Sequence, residues 1–362
     1  DVYKRQVYAY AAIEHSLVPV RPGSAAATEV RSAAGATEGR LDPVLLLVAS
    51  YWRSAWKYQT RALRYCAQDA GHIAGAVLAC AGGIDAGAEV LTIRDPASLD
   101  ALLGLDPTAA GVMGAVGLEL LGPPVAAATS IAPSELVRPA AVGEPIDGVM
   151  LDAATAIARS PGVLHEAARP AQPEGQTVPL PEVDERLEGA PLADCVIRRH
   201  SVRRYRRETL SLDKLSRLLK EASCGGRAEL SCAVAIRAVE GIDSGVYRYD
   251  PEAHGLVLLR AGRVAEELAA AALGQSFVGQ AALCAMPVID LEASLAAGGP
   301  RAYVDALFDV GMGGQRLYLT ATAMGLGCCA VGAYNDAEVD MLAGLDRDLD
   351  SVLCLFPVGV PR

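Results

Sequence analysis

A shift of 240 residues maps one part of this 362-residue chain onto another. Arg61-Ala62 recurs as Arg301-Ala302, Asp69 as Asp309, Gly71 as Gly311, Ala81 as Ala321 and Asp100 as Asp340. Leu102-Leu103-Gly104-Leu105-Asp106 returns as Leu342-Ala343-Gly344-Leu345-Asp346, with no gap needed between the matches. Ala and Gly coincide often by chance in a chain rich in both, but a constant register that keeps Arg, Asp and an LxGLD pattern does not. A repeat dictates architecture, so it is read before any fold is named. The chain reads as two copies of one α+β unit.

Local signals fill in each copy. Val44 to Ser50 is a continuous apolar run suited to a buried strand, and Arg61 to Ala81 is an Ala-rich helix stopped by Gly82-Gly83. A strand over Ala88 to Ile93, a helix over Pro96 to Leu103 capped near Asp95, and a strand over Val112 to Leu118 complete copy one. In copy two, Leu212, Leu215, Leu218 and Leu219 share one helix face behind a Ser211 N-cap. A β meander follows from Cys232 to Arg260, then a helix from Arg263 to Leu273, a strand from Leu283 to Leu291 and a long helix from Pro300 to Met324. Asp336 to Leu342 is a short helix and Ser351 to Val358 a last strand. Residues 1–42 show no clear period and read as an irregular or truncated N-terminus, 43–121 as a partial copy, 122–190 as a Pro-rich linker with at most one helix near Gly148 to Ala158, and 191–362 as the fuller copy.

The copies differ where chemistry would reside. Copy one carries Trp56-Lys57-Tyr58, while the same register in copy two falls on Ala297 and Gly298, with neither cation nor phenol. Copy two carries Arg198-Arg199-His200-Ser201-Val202-Arg203-Arg204-Tyr205-Arg206-Arg207, in a protein of net charge −11. Three readings of this stretch compete: an anion pocket closing on a ligand phosphate, a nucleic-acid patch, or a solvated charged face. The acidic balance disfavours a general nucleic-acid or anionic-membrane role, because phosphate backbones attract basic surfaces. Unequal copies suggest one composite site.

Nine cysteines lie at 66, 80, 195, 224, 232, 284, 328, 329 and 354, with no CxxC and no nearby His at zinc spacing. They read as buried thiols of a reducing, cytoplasmic compartment, and no metal site is expected. No apolar run reaches the roughly 20 residues a bilayer span needs. His72, within an apolar helix, reads as a core residue rather than a base.

Arg199-His200-Ser201-Val202-Arg203-Arg204-Tyr205 resembles the RxSxRxF-type opening of the FMN-dependent nitroreductase superfamily. Further segments narrow the likeness to SagB/ThcOx-type dehydrogenases: Gly245-Val246-Tyr247-Arg248-Tyr249-Asp250-Pro251, Gly325-Leu326-Gly327-Cys328-Cys329-Ala330-Val331-Gly332-Ala333, Phe356-Pro357-Val358-Gly359, and in copy one Arg53-Ser54-Ala55-Trp56-Lys57-Tyr58 with Asp69-Ala70-Gly71-His72. Ala330 stands where that family often has Pro, and Ala222-Ser223-Cys224-Gly225-Gly226-Arg227 follows its helix at once, without the Pro of the family's PSxGG-like turn. The resemblance implies an α+β nitroreductase-like fold in two unequal copies fused as an internal pseudo-dimer, the first truncated at its N-terminus.

The resemblance also implies FMN as cofactor, its phosphate held by Arg199, Ser201 and Arg203; paired guanidinium donors and a hydroxyl suit a phosphate. Ser223, Gly225 and Gly226 would donate backbone N–H groups to the flavin, or only cap a helix. Gly332 and Ala333 would pass close to the ring, or form a plain turn. Lys57 and Tyr58 would manage the proton while a thiazoline or oxazoline of a ribosomally made peptide is dehydrogenated, with a cyclodehydratase as a possible partner and dioxygen as the simplest reoxidant. Two alternatives stand beside this: an NAD(P)H-dependent nitro or quinone reductase, and a flavin-less scaffold or peptide-binding component of a modification complex. Further oligomerisation stays open.

Overall fold

The computed structural model describes residues 6–21, 23–36, 43–84, 86–119, 148–160, 175, 177–183, 189–223, 230–345 and 350–362. The chain divides into two compact units. One comprises Asp1–Ala70, Ala81–Leu164 and Gly298–Val304; the other comprises Gly71–Cys80, His165–Ala297 and Asp305–Arg362.

The first unit opens with an antiparallel hairpin, β1 (Val7–Ala11) and β2 (Ser16–Arg21), and α1 (Ser24–Ala33). Then come β3 (Val44–Ser50), α2 (Trp52–Tyr58), a 3-10 turn at Gln59–Arg61, the start of α3 (Ala62–Gly83), β4 (Gly87–Leu91), α4 (Pro96–Leu103), β5 (Ala110–Glu119) and α5 (Gly148–Arg159). Strands β3 and β4 flank β5, antiparallel to it. Helix α4 shows why these residues fold as they do: the Asp95 carboxylate accepts the Ser98 N–H at 2.9 Å, Pro96 occupies the first turn, and Gly104 ends the helix at φ 70°. Val30, Ala34, Leu91, Ile93, Leu99, Val112 and Ala115 form the unit's core.

The second unit contains β6 (Thr177–Pro179), α6 (Leu192–Arg198), α7 (Leu212–Ser223), β7 (Ser231–Ile236), β8 (Gly245–Asp250), β9 (Gly255–Ala261), α8 (Ala265–Ala271) and α9 (Ser276–Gln280). After these come β10 (Leu283–Asp290), α10 (Leu291–Ala323, whose Gly298–Val304 stretch belongs to the first unit), β11 (Gly327–Cys328), α11 (Asp336–Leu342), β12 (Asp350–Val352) and β13 (Phe356–Gly359). Its sheet runs β11-β13-β10-β7-β8-β9-β6, with β12 also paired to β10. Leu215, Leu218 and Leu219 are fully buried on one face of α7, as their spacing predicts.

The repeat is visible in strand register. Val48 faces Val112, Ala49 faces Gly111 and Ser50 faces Ala110 between β3 and β5. Val288 faces Val352, Ile289 faces Ser351 and Asp290 faces Asp350 between β10 and β12. Every one of these pairs is displaced by the same 240 residues. Gly87 opposite Glu119 likewise becomes Gly327 opposite Gly359. Asp100 Oδ1 accepts the Val112 N–H at 3.0 Å, and Asp340 Oδ1 accepts the Val352 N–H at 2.8 Å. A buried carboxylate thus ties a helix to a strand in each copy. In the first unit Arg301, 1% exposed, also donates to the carbonyls of Val112 and Met113 at 3.1 and 2.8 Å.

Four sequence readings need correction. Residues 7–33 are not irregular: they form the hairpin and α1. Tyr8 and Tyr10 stand exposed where a half-buried strand would ordinarily put polar residues, and the turn at 12–15 uses His15 at φ 47° in place of a glycine, so the usual hairpin signals were missing. The repeat extends here at a shift of 239. Val7-Tyr8-Ala9-Tyr10 matches Val246-Tyr247-Arg248-Tyr249, and His15 matches His254 at φ 44°. The Tyr10 hydroxyl lies 2.9 Å from His15 Nδ1, and that of Tyr249 lies 2.8 Å from His254 Nδ1. Within the Pro-rich 122–190 stretch, α5 falls where a helix was expected, but Thr177–Pro179 is a strand edging β9, a place where a proline's missing N–H is tolerated. The long helix starts at Leu291, capped by Asp290, and kinks at Gly299 (φ 59°) before Pro300. The last strand is two strands, β12 and β13.

Candidate functional site

The arginine-rich stretch leaves α6 at Arg199, whose ψ of 122° turns the chain into an extended run. Val202 and Tyr205 are buried and anchor that run, while Ser201 and Arg203 are exposed. The Val202 N–H donates to Cys328 O at 2.9 Å, and Ser201 pairs with Cys328 in a parallel bridge. Gly327 permits this approach, since a Cβ there would meet the Val202 side chain at 2.6 Å. The Tyr205 hydroxyl lies 2.9 Å from the carbonyls of both Val202 and Pro357, pinning the far end.

Tyr318 of α10, 3% exposed, stands beside this run. Its hydroxyl lies 2.9 Å from Ser201 Oγ and accepts the Ala330 N–H at 2.7 Å. The Arg199 guanidinium sits 5.2 Å from the Tyr318 ring centroid, a cation–π distance. Arg203, Ser201 and Tyr318 all act on the Cys329 thiol, each pulling its pKa down. Burial raises the Cys329 thiol above its ordinary range, against the pull of the Arg203 charge. Burial likewise keeps the Tyr318 phenol neutral.

His72 meets the Tyr318 ring edge-on at 5.8 Å and places Nδ1 3.4 Å from Gln315 Oε1. Burial pushes its pKa down to about 4; the Arg199 charge adds to this and the Gln315 bond opposes it. Arg199, Ser201 and Arg203 therefore gather around Tyr318 and Cys329. Two guanidinium groups and a hydroxyl are the donor chemistry a phosphate monoester requires. Arg204, Arg206 and Arg207 are exposed, and Arg206 pairs with Glu208 at 3.6 Å.

The remaining sequence candidates fall elsewhere. Ser223 closes α7, while Gly225 and Gly226 lie outside the described residues. Gly332 and Ala333 lie half-buried between β11 and α11, with Ala333 O accepting from Gln275 Nε2 at 2.9 Å. Lys57 and Tyr58 end α2 in the first unit, both exposed, with Lys57 Nζ 5.1 Å from the Tyr58 ring centroid. Tyr58 packs edge-to-face on Tyr65 at 4.7 Å.

Tyr318, Gln315 and the part played by His72 were not anticipated. The repeat carried a signal for the first two: at the shift of 240, copy one has Leu78 for Tyr318, Gly75 for Gln315 and Glu89 for Cys329. A change from apolar to polar at a constant register marks a buried position to which one copy gives a hydrogen-bonding role.

A model of the nitroreductase family matches residues 196–360. A protein of Methanocaldococcus jannaschii named as a nitroreductase is 33% identical over 195 residues, which cover 50% of this chain and 95% of that protein. The crystal structure of a nitroreductase-named protein from Anabaena variabilis superposes with a TM-score of 0.82 at 23% identity, covering 98% of this chain and 77% of that one. Another, from Ralstonia eutropha, gives 0.44 at 25% identity over 54% of this chain and 94% of that one. The Anabaena likeness concerns the fold, and it runs through both copies.

Proposed function

The chain belongs to the nitroreductase family, and from that premise we propose that it is an FMN-dependent oxidoreductase whose second unit holds the flavin phosphate through Arg199, Ser201 and Arg203. The observation that carries this reading is the gathering of those three side chains around Tyr318 and Cys329. Arg199 and Arg203 neutralise the phosphate charge, and Ser201 adds a hydroxyl donor. The backbone at Ser223 to Gly226 and at Gly332-Ala333 is proposed to line the ring. No described helix is long and apolar enough to cross a membrane.

The proposed reaction is dehydrogenation of a thiazoline or oxazoline in a ribosomally made peptide, as the SagB/ThcOx-type segments imply. A bound flavin would supply the two-electron acceptor that matches the two electrons and two protons an azoline loses in becoming an azole, with dioxygen as the terminal oxidant, taken to hydrogen peroxide. Lys57 or Tyr58 is the group proposed to take the ring proton, and a cyclodehydratase that forms the azoline is the proposed partner. A second reading, NAD(P)H-dependent reduction of nitro or quinone compounds, is favoured by the name of the Methanocaldococcus relative.

The absorption spectrum of purified protein tests the cofactor. Wild type is expected to be yellow, while Arg199→Ala and Ser201→Ala bind FMN at least about tenfold more weakly, the loss of one charge-assisted contact. Colourless wild type that stays colourless with added FMN rejects the reading. Azole formation on an azoline peptide, lost in Lys57→Ala and Tyr58→Phe, separates dehydrogenation from the second reading, which predicts NADPH oxidation with a nitroarene and an untouched peptide.

A further inference from the structure

We infer that Tyr318 is the positioning residue of the phosphate cradle: it orients the Ser201 hydroxyl and the Arg199 guanidinium toward one anion. This rests on the FMN reading above and adds a residue that no family segment named.

Hydrogen-bond direction carries the argument. The Ala330 N–H can only donate, so at 2.7 Å it fills one acceptor position of the Tyr318 oxygen. The phenolic hydrogen must then leave in another direction. Its two neighbours are Ser201 Oγ at 2.9 Å and the Cys329 sulfur, which is a weak acceptor. Tyr318 and Ser201 can each donate to the other across this 2.9 Å contact, and a phosphate, which only accepts, selects the arrangement in which the phenol donates to Ser201 Oγ and the serine hydrogen turns to the ligand. A chain results, from the Ala330 N–H through the Tyr318 O–H to the Ser201 O–H, in which each bond polarises the next. The terminal donor matches a phosphate oxygen, which can only accept.

The ring performs a second task. Arg199 lies over its face at 5.2 Å and His72 against its edge at 5.8 Å, with His72 neutral near pH 7 because its pKa is about 4. The ring face thereby holds the guanidinium in one place, and among the described residues no acidic side chain is paired with it. Copy one offers an internal comparison. At the matching register Leu78 replaces Tyr318 and Glu89 replaces Cys329, so that copy lacks the phenol and carries a carboxylate in place of the thiol.

The test compares FMN with riboflavin, which lacks the phosphate, on the full chain by flavin fluorescence titration. Tyr318→Phe keeps the ring and loses the relay; it is expected to weaken FMN about tenfold with riboflavin affinity unchanged. Tyr318→Leu, the residue copy one uses, is expected to weaken FMN further, again without moving riboflavin. Circular dichroism melts establish that both variants fold. A Phe variant indistinguishable from wild type, or one losing both flavins equally, overturns the inference and leaves the cofactor reading standing. A wild type that binds neither flavin overturns both.

Discussion

His72 sits against the Tyr318 ring edge and close enough to Arg199 to feel its charge, on a helix whose other residues are mostly small and apolar. Burial favours its neutral form, so its pKa falls from 6.5 to about 4. The unfolded chain therefore binds more protons than the folded one between those values, and stability rises with pH across that window. Acidification from pH 6.5 toward 4 should cost at most about 1.4 kcal/mol per pH unit from this group. Urea midpoints across the window check this: His72→Gln should show a shallower pH slope than wild type, and parallel slopes would reject the assignment. The adjoining cradle follows the same logic of position over identity. Of six arginines in the stretch, Arg199 and Arg203 are set apart by what they touch.

At the scale of elements, α3 and α10 meet at Gly71 and Gly311, the same position of the repeat. A Cβ on Gly71 would lie 1.9 Å from Phe308 O and 2.9 Å from Gly311 Cα, both backbone atoms that cannot swing aside. Gly71→Ala should therefore destabilise by about 3 kcal/mol, the upper end for overpacking, or prevent folding. Gly82, near the end of the same helix, has nothing within 4 Å of a built Cβ, and Gly82→Ala should be neutral or stabilising by up to about 1 kcal/mol. Thermal melts of the two variants decide the point; equal effects would mean that helix propensity, not the crossing, governs both.

At the scale of the whole molecule, the family match and the repeat together give one fold written twice, and the proposed phosphate site draws its side chains from copy two. Copy two offers Arg199, Ser201, Arg203, Tyr318 and Cys329; copy one has Leu78 and Glu89 at the places that match Tyr318 and Cys329. The expected flavin content is therefore one FMN per chain, measured as released flavin against protein concentration. Two per chain would show that copy one binds as well and would remove the link between the cradle and its side chains.

What the residues settled alone is what depends on local chemistry or on counting. The 240-residue shift, the Asp95 cap with Pro96 and Gly104 around α4, the apolar run of β3 and the Leu face of α7 were each legible because near neighbours determine them. The Arg199, Ser201 and Arg203 spacing was legible as a family resemblance, and the phosphate role it implies is the proposal that the flavin spectrum tests. The N-terminal hairpin was hidden because exposed tyrosines and a positive-φ histidine stood where polar residues and glycine are the usual guides. Only the tertiary structure could bring Tyr318 to Ser201, 117 residues apart, and His72 to Gln315, 243 apart. Contacts of that range arise from packing between elements, and no periodicity within one element encodes them.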